Sequence, residues 1–375
     1  MAERKGFKSW KRRYKVLAAV GIVFGVVIVL VGGFLMFWKP LGKNSTKEQQ
    51  EEYAKRTDAF YDGTFHTPED FTLLTKVEGE PSEDSEEKSP KVELPVHQID
   101  SFPEAPSGEW QVTWFGHSTV MLQMEGKKIF IDPVLSEYSS PVQGIGAKRM
   151  AETPMKAEDI PEVDVLVLSH DHYDHMDYNT ILEIDDRVKE YCVPLGVDNH
   201  LVRWGIDPEK IHTLAWWEET VAGGITITST PGQHYSGRLP WKQNSTLWCG
   251  YVFRLGEQQV YYTGDTGYGE FFKDIHEKFG RMDLVIMENG QYNKRWPDCH
   301  MMPEEGVQAA QILEAEWVLP VHWAGFVLAT HRWSEPAERY TKEAENAGVN
   351  VITPEIGETV NKNQAAGYQK KWWQK

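Results

Sequence analysis

Residues 16–38 form one apolar run without a charge. At about 1.5 Å of rise per residue, a helix of that length crosses a hydrocarbon core of about 30 Å. The run ends Phe34-Leu35-Met36-Phe37-Trp38-Lys39-Pro40, with no small-residue cleavage site, so the pattern predicts an uncleaved anchor. A long polar stretch follows. From Glu109 onward, short β-rich runs appear: EWQVTWF, TVMLQM, KIFIDP, DVLVLS, GITITST, WCGYVFRL, QVYYTG, DLVIME and EWVLPV. The first are joined by tight turns, as in antiparallel meanders. Later ones are separated by helical patterns at 303–315 and 336–347. This predicts a mixed α/β chain, economically built as two sheets packed face to face with helices outside.

The division that follows is a basic N-terminus at 1–15, a transmembrane anchor at 16–38, a polar and acidic tether at 39–107, a globular domain at 108–362 and a basic, aromatic tail at 363–375. Residues 78–93, EGEPSEDSEEKSPKVE, are nearly free of apolar side chains and cannot offset their ordering entropy. Within the tether a short helix is expected near 46–57. Phe60, Tyr61, Phe65 and Phe71 keep open a second reading, an arm docked on the domain. Arg4, Lys5, Lys8, Lys11, Arg12, Arg13 and Lys15 precede the apolar run, against Lys39, Lys43 and Lys47 after it. The positive-inside rule then puts the N-terminus in the cytoplasm and the domain outside, on a single-pass cell-membrane protein.

The 375 residues are long enough for a large core, and 12% aromatics with 15 Trp argue for a folded chain. A net charge of -17 argues against nucleic acid as a partner, because phosphate backbones are held mainly by Lys and Arg. Cys192, Cys249 and Cys299 show no CxxC spacing, so they specify neither a thiolate zinc site nor a disulfide framework, and buried thiols are expected.

The chemistry concentrates after the strand Val165-Leu166-Val167-Leu168, in Ser169-His170-Asp171-His172-Tyr173-Asp174-His175. Such donors at a strand's C-terminal end suit a metal loop. His170 and His172 can chelate one ion while Asp174 and His175 turn toward a second, and imidazole with carboxylate suits zinc. Further donors follow other strands: His234 after ITITSTPGQ, Asp265 after VYYTG and His322 after WVLPV. The seven together match what two adjacent ions need with a water-derived ligand between them, so two Zn²⁺ per chain are expected.

Through SHDHYDH, PGQH, TGDTGY and PVHW, in that order, residues 109–360 resemble the metallo-β-lactamase superfamily. The resemblance implies a four-layer αββα sandwich. It also implies His170, His172 and His234 on one zinc, Asp174, His175 and His322 on the other, and Asp265 bridging. WFGHSTVMLQM, SHDHYDHMD, PGQHYSGR, TGDTGY and HMMPEE look most like the branch containing N-acylphosphatidylethanolamine-hydrolysing phospholipase D. That branch implies phosphodiester cleavage, and His300 matches a His of its active-site region. Asp171 stands where the branch commonly carries Asn, at a position that is not a ligand.

A hydroxide shared by two ions about 3.5–4 Å apart is nucleophilic near neutral pH, so no Ser or Cys nucleophile is required. The expected catalytic groups are Asp174, Asp265 and His300, the last as general acid or phosphate contact ahead of the helix start at Met302-Pro303. Asp132 in IFIDP is placed like the superfamily's buried Asp that orients a ligating His, with an ordinary turn Asp as the other reading. His117 either lines the site or sits in a strand turn. His212, His276 and His331 have no matching context and are expected at the surface. Trp216-Trp217 and Lys370-Lys371-Trp372-Trp373 suggest a lipid interface, with core tryptophans as the alternative. The expected substrate is a lipid or small phosphodiester resembling N-acylphosphatidylethanolamine. A phosphorylated-sugar lactonase and a catalytically silent, membrane-tethered binding protein are the alternatives. A silent protein would have lost donors, and none is missing; an iron redox protein would carry a carboxylate where His172 stands.

Overall fold

The central strands are apolar at consecutive positions because both of their faces are covered. In the strand Lys127–Ile131, Ile129 and Ile131 face the core between two sheets, while Phe130 faces a helical layer outside. The strand Val163–Val167 repeats this period of two, with Val165 and Val167 inward and Leu166 outward. The computed structural model describes residues 3–74, 87–239 and 242–374, with side chains from residue 14 onward.

One sheet has seven strands in the order Ile211–Leu214, Val188–Pro194, Val163–Val167, Lys127–Ile131, Val120–Met124, Trp110–Trp114 and Thr359–Asn361. The other has six, in the order Glu219–Ala222, Ile225–Thr230, Gly250–Leu255, Gln258–Tyr262, Leu284–Glu288 and Val318–Val321. Each begins as an antiparallel meander and continues through parallel pairs. The inter-sheet core takes Val112, Leu122, Ile129 and Val165 from one side and Ile227, Phe253 and Ile286 from the other. Helices Tyr178–Ile184 and Asp198–Trp204 cover the first sheet's outer face through Ile181 and Leu201. Helices Phe271–Phe279, Pro303–Ile312 and Glu335–Ala347 cover the second through Phe272, Val307 and Tyr340. The layers are therefore helix, sheet, sheet, helix, as expected.

Ahead of the sandwich, one helix runs Glu3–Phe37, and its segment Tyr14–Phe37 has a mean hydropathy of 2.8, long and apolar enough to cross a membrane. The chain after it corrects the tether reading. Helix Lys47–Arg56 is capped by Thr46 in a reciprocal capping box with Gln49. Tyr53, Phe60 and Phe65 then pack with Leu195, Leu247 and Trp248 in a core of their own. Burial of three aromatic rings, each removing about 150–250 Å² from water, outweighs the entropy of ordering this stretch. Past Leu73 and Leu74, residues 75–86, which include the first part of the acidic run from 78, lie outside the described residues. Beyond them Leu94 is buried and the His97 N–H donates to Ile356 O at 2.8 Å.

For the basic, aromatic tail, the core reading holds. Trp372 and Trp373 are buried against Trp323, with ring centroids 5.2 and 5.5 Å away. Packing against aromatics of the inter-sheet core decides between the two readings of these tryptophans. Trp216 is likewise half-buried on Trp248, and its indole N–H donates to Trp248 O at 2.7 Å. The three cysteines are free and buried. His212 and His276 are partly exposed, whereas His331 departs from its surface expectation by stacking on Tyr292 at 4.4 Å.

Candidate metal centre

Four strand ends converge on one edge of the sandwich: the loop 169–176 after Val163–Val167, His234 after Ile225–Thr230, Asp265 after Gln258–Tyr262 and His322 after Val318–Val321. His172 Nδ1 lies 2.9 Å from His170 Nε2 and 3.3 Å from His234 Nε2. Three nitrogens bound tetrahedrally at about 2.0–2.1 Å from one zinc would stand roughly 3.3 Å apart, so this trio is sized for a single ion. A second group joins Asp174, His175 and His322, and the structure adds His117, whose Nε2 lies 2.9 Å from Asp174 Oδ2. Asp265 lies between the groups. Its Oδ2 is 3.1 Å from His175 Nε2 and 3.2 Å from His322 Nε2, and 3.9 Å from both His170 Nε2 and His234 Nε2.

The outer nitrogens of these rings are held by the protein. His175 Nδ1 donates to Asp132 Oδ2 at 2.7 Å, His170 Nδ1 to Ser169 Oγ at 2.9 Å, His234 Nδ1 to Cys299 O at 3.0 Å and His322 Nδ1 to Ser118 Oγ at 3.0 Å. Each bond fixes a ring and leaves Nε2 for the site. Asp132 is no ordinary turn residue: it also accepts from the Ser169 N–H at 2.7 Å and from Tyr262 Oη at 2.5 Å. Asp132, His117 and His322 adopt φ of 39°, 52° and 68°, a left-handed strain that the packing around the site sustains. Gly290 permits one close approach there, since a Cβ on it would stand 1.8 Å from His322 O.

The charges fit a cation. Burial, helped by neighbouring rings, holds the imidazoles of His170, His234 and His322 well below their ordinary range, and burial takes His172 to about 4. These rings are neutral at neutral pH, the form that ligates metal. Burial alone would also lower His175, but the charges of Asp265 and Asp174 override it and raise that ring well above its ordinary range. Asp265 itself is pushed up to about 6 by burial. His175 Nε2 and Asp265 Oδ1 are buried without a hydrogen-bond partner. Such atoms are costly in a native interior unless something meets them, and divalent ions between these donors would do so.

The donors form the floor of a cavity of about 590 Å³, with His172, Asp174, Asp265, His300 and His322 exposed to it. Leu73, Leu74, Leu239, Leu328 and Trp296 stand in its walls, beside polar side chains such as Ser139, Tyr235, Arg238 and Gln243. His300 Nδ1 sits 3.1 Å from Glu288 Oε1, and Glu288 also accepts from the N–H groups of Gly290 and Met301. Sequence reasoning missed Glu288, the Cys299 carbonyl and the part played by His117. Glu288 does end the apolar run DLVIME at a strand terminus, the same signal that singled out His234 and His322.

All seven donors, four from one loop and three from distant strand ends, therefore meet at one edge of an αββα sandwich, and the profile of the Beta-lactamase superfamily domain matches residues 127–323. The chain belongs to the metallo-β-lactamase superfamily. As a member it is a metal-dependent hydrolase. An uncharacterised superfamily relative from Mycobacterium tuberculosis is 39% identical over 254 residues, 67% of this chain and 68% of that one. N-acyl-phosphatidylethanolamine-hydrolyzing phospholipase D 1 of Caenorhabditis elegans is 34% identical over 309 residues, covering 77% of this chain and 86% of its own. Among solved structures, the isothiocyanate hydrolase from Delia radicum gut bacteria superposes with a TM-score of 0.53 at 25% identity, over 67% of this chain and 98% of that one.

Proposed function

We propose that this metallo-β-lactamase-fold hydrolase is a membrane-anchored, two-zinc phosphodiesterase of phospholipase D type, acting on N-acylphosphatidylethanolamine-like lipids. The observation that carries the reading is the cavity, with imidazoles and carboxylates on its floor and leucines in its walls. Leu74 and Leu328 are exposed at 70% and 42%. The floor suits a phosphate diester and the leucines suit acyl chains. The apolar helix ends beside this wall: Trp38 Nε1 donates to Pro141 O at 2.7 Å, two residues beyond the wall residue Ser139. The likeness to a relative named for hydrolysing this lipid class points the same way. The basic residues before the span favour a cytoplasmic N-terminus and an outward domain.

When bound, the two ions supply a water-derived nucleophile near neutral pH and draw charge from a phosphoryl oxygen. The chain does the rest. Asp132, Ser169, Ser118 and the Cys299 carbonyl fix the rings of His175, His170, His322 and His234 before substrate arrives. Asp174 is held as a carboxylate: burial opposes this, and the charge of His175 with the hydrogen bond from His117 overrides it. His300, with Nδ1 on Glu288, can turn Nε2 to a phosphate oxygen or to the leaving alkoxide. The test is hydrolysis of N-acylphosphatidylethanolamine in mixed micelles by the full chain, read as phosphatidic acid, beside a phosphorylated sugar lactone. Release of phosphatidic acid is the expected result. Lactone opening without it would transfer the site to the lactonase reading.

A further inference from the structure

We propose that residues 38–43, where the chain leaves the apolar helix, are a positioning element of the metal loop, acting through His200 and Arg238. The proposal rests on the metal-centre reading above. The segment is stapled to the domain along its length. Lys39 O accepts from Trp204 Nε1 at 2.8 Å, Pro40 O accepts from Arg238 Nε at 2.9 Å, and the Lys43 N–H donates to His200 Nδ1 at 2.8 Å. From these anchors two buried relays reach the loop.

In the first relay, Arg238 spends Nη1 on the carbonyls of Asp171 at 2.7 Å and Met176 at 3.0 Å, and its guanidinium lies 4.1 Å over the Tyr173 ring. One side chain thus spans the loop from end to end. In the second, the bond from Lys43 makes Nδ1 of His200 the acceptor, so Nε2 carries the proton and donates to Asp171 Oδ2 at 3.1 Å. The other oxygen, Oδ1, accepts from the Gly237 N–H in the cavity wall at 2.7 Å. Two donors arriving from two sides require two acceptor oxygens, which a carboxylate provides. Asp171 reaches none of the other donors of the centre, yet it lies between His170 and His172 and is 1% exposed. Its role is to fix the peptide that carries both rings.

Gly42 makes the staple fit. It has φ +74°, and a Cβ there would stand 2.1 Å from His200 Nδ1. The contact joins residues 157 apart in sequence, so it forms only when the exit segment is seated. Angular tolerance at such a centre is small, and ligand rings displaced by about 1 Å cost about 10²-fold in rate.

The test uses the full chain in detergent micelles with zinc alone as the probe. It reads hydrogen exchange of the 169–176 amides and the rate of zinc release to a chelator. His200→Ala, Gly42→Ala and Lys43→Pro, which removes the donating N–H, should each speed loop exchange and zinc release by about tenfold or more, the scale of a lost orienting partner. Exchange in the strand Leu284–Glu288 should stay unchanged, which separates a local staple from general loosening. His200→Gln should return both rates to near the parent values, because its amide again offers one acceptor and one donor. Loop exchange and zinc release within about twofold of the parent in Gly42→Ala and Lys43→Pro would overturn the proposal. If the parent holds no zinc, the metal-centre reading fails and loop exchange in the metal-free chain still decides the staple.

Discussion

The metal centre and the cluster of Asp171, His200 and Arg238 beside it are both buried and both charged, and they interleave at His170–Asp171–His172, yet they are balanced in opposite ways. In the cluster, Asp171 has a donor on each oxygen and His200 uses both ring nitrogens. In the centre, Asp265 Oδ1 and His175 Nε2 have no hydrogen-bond partner, and three carboxylates crowd one imidazole. A buried polar atom without a partner costs about 1–3 kcal/mol, so a fold that keeps two at one spot keeps them for a ligand. Completeness marks the scaffold here, and incompleteness marks the site.

Substitutions sharpen that contrast, and the largest effect is expected at the atom the two donor groups share. Asp265→Ala should lower hydrolysis by several kcal/mol of transition-state stabilisation, about 10³-fold or more, and reduce bound metal. Activity near the parent value would remove Asp265 from the site. In the metal-free protein the same change should leave the urea midpoint level or raise it, because it deletes a carboxylate whose charge burial disfavours and whose Oδ1 has no hydrogen-bond partner. Asp171→Ala should do the reverse and cost about 1–3 kcal/mol in the same titration for each donor it strands, the His200 Nε2–H and the Gly237 N–H. Equal losses from the two variants would break the comparison.

Acidification separates the regions as well. Burial lowers His117 and His172 to about 4, so between about pH 6.5 and 4 the unfolded chain takes up protons that the folded one refuses, and stability falls as pH falls. Asp265, raised to about 6 by burial, binds its proton earlier in the folded state and offsets part of this. His170, His234 and His322, which burial holds lower still, act in the same direction as His117 and His172, so the metal-free protein should lose stability across that window, read as a falling urea midpoint. Asp171 contributes nothing to it. Burial would raise its carboxyl, but the hydrogen bond from His200, with the charge of Arg238, holds it at about 2, so its stabilisation is lost only below about pH 4. The smallest effect is expected far from both regions: Lys371→Ala breaks an exposed pair with Glu345 and should shift stability by less than about 1 kcal/mol.

The centre was legible in the sequence because four of its donors are local to one loop and the rest each end an apolar strand. The double-sided burial of the strands was legible for a similar reason, as runs such as VLVL mark strands covered on both faces. The partners that fix the rings were not legible. Glu288, the Cys299 carbonyl and His200 meet their targets through the fold, at separations that no local pattern encodes. The segment after the apolar helix was misread because the acidic run dominates its composition, while Tyr53, Phe60 and Phe65 are spaced too widely to show a face. Trp372 and Trp373 left two readings open because their Lys neighbours suggested an interface, and only the position of Trp323 reveals that they close the core.

The central claim is that the seven donors form one two-ion centre. Its most direct test is to titrate the full chain, stripped of metal, with zinc and to measure bound zinc per chain by elemental analysis, together with hydrolysis at each point. Saturation at two ions per chain, with activity appearing as the second binds, is the expected result. Saturation below one ion with every donor intact, or full activity in the stripped chain, would contradict it.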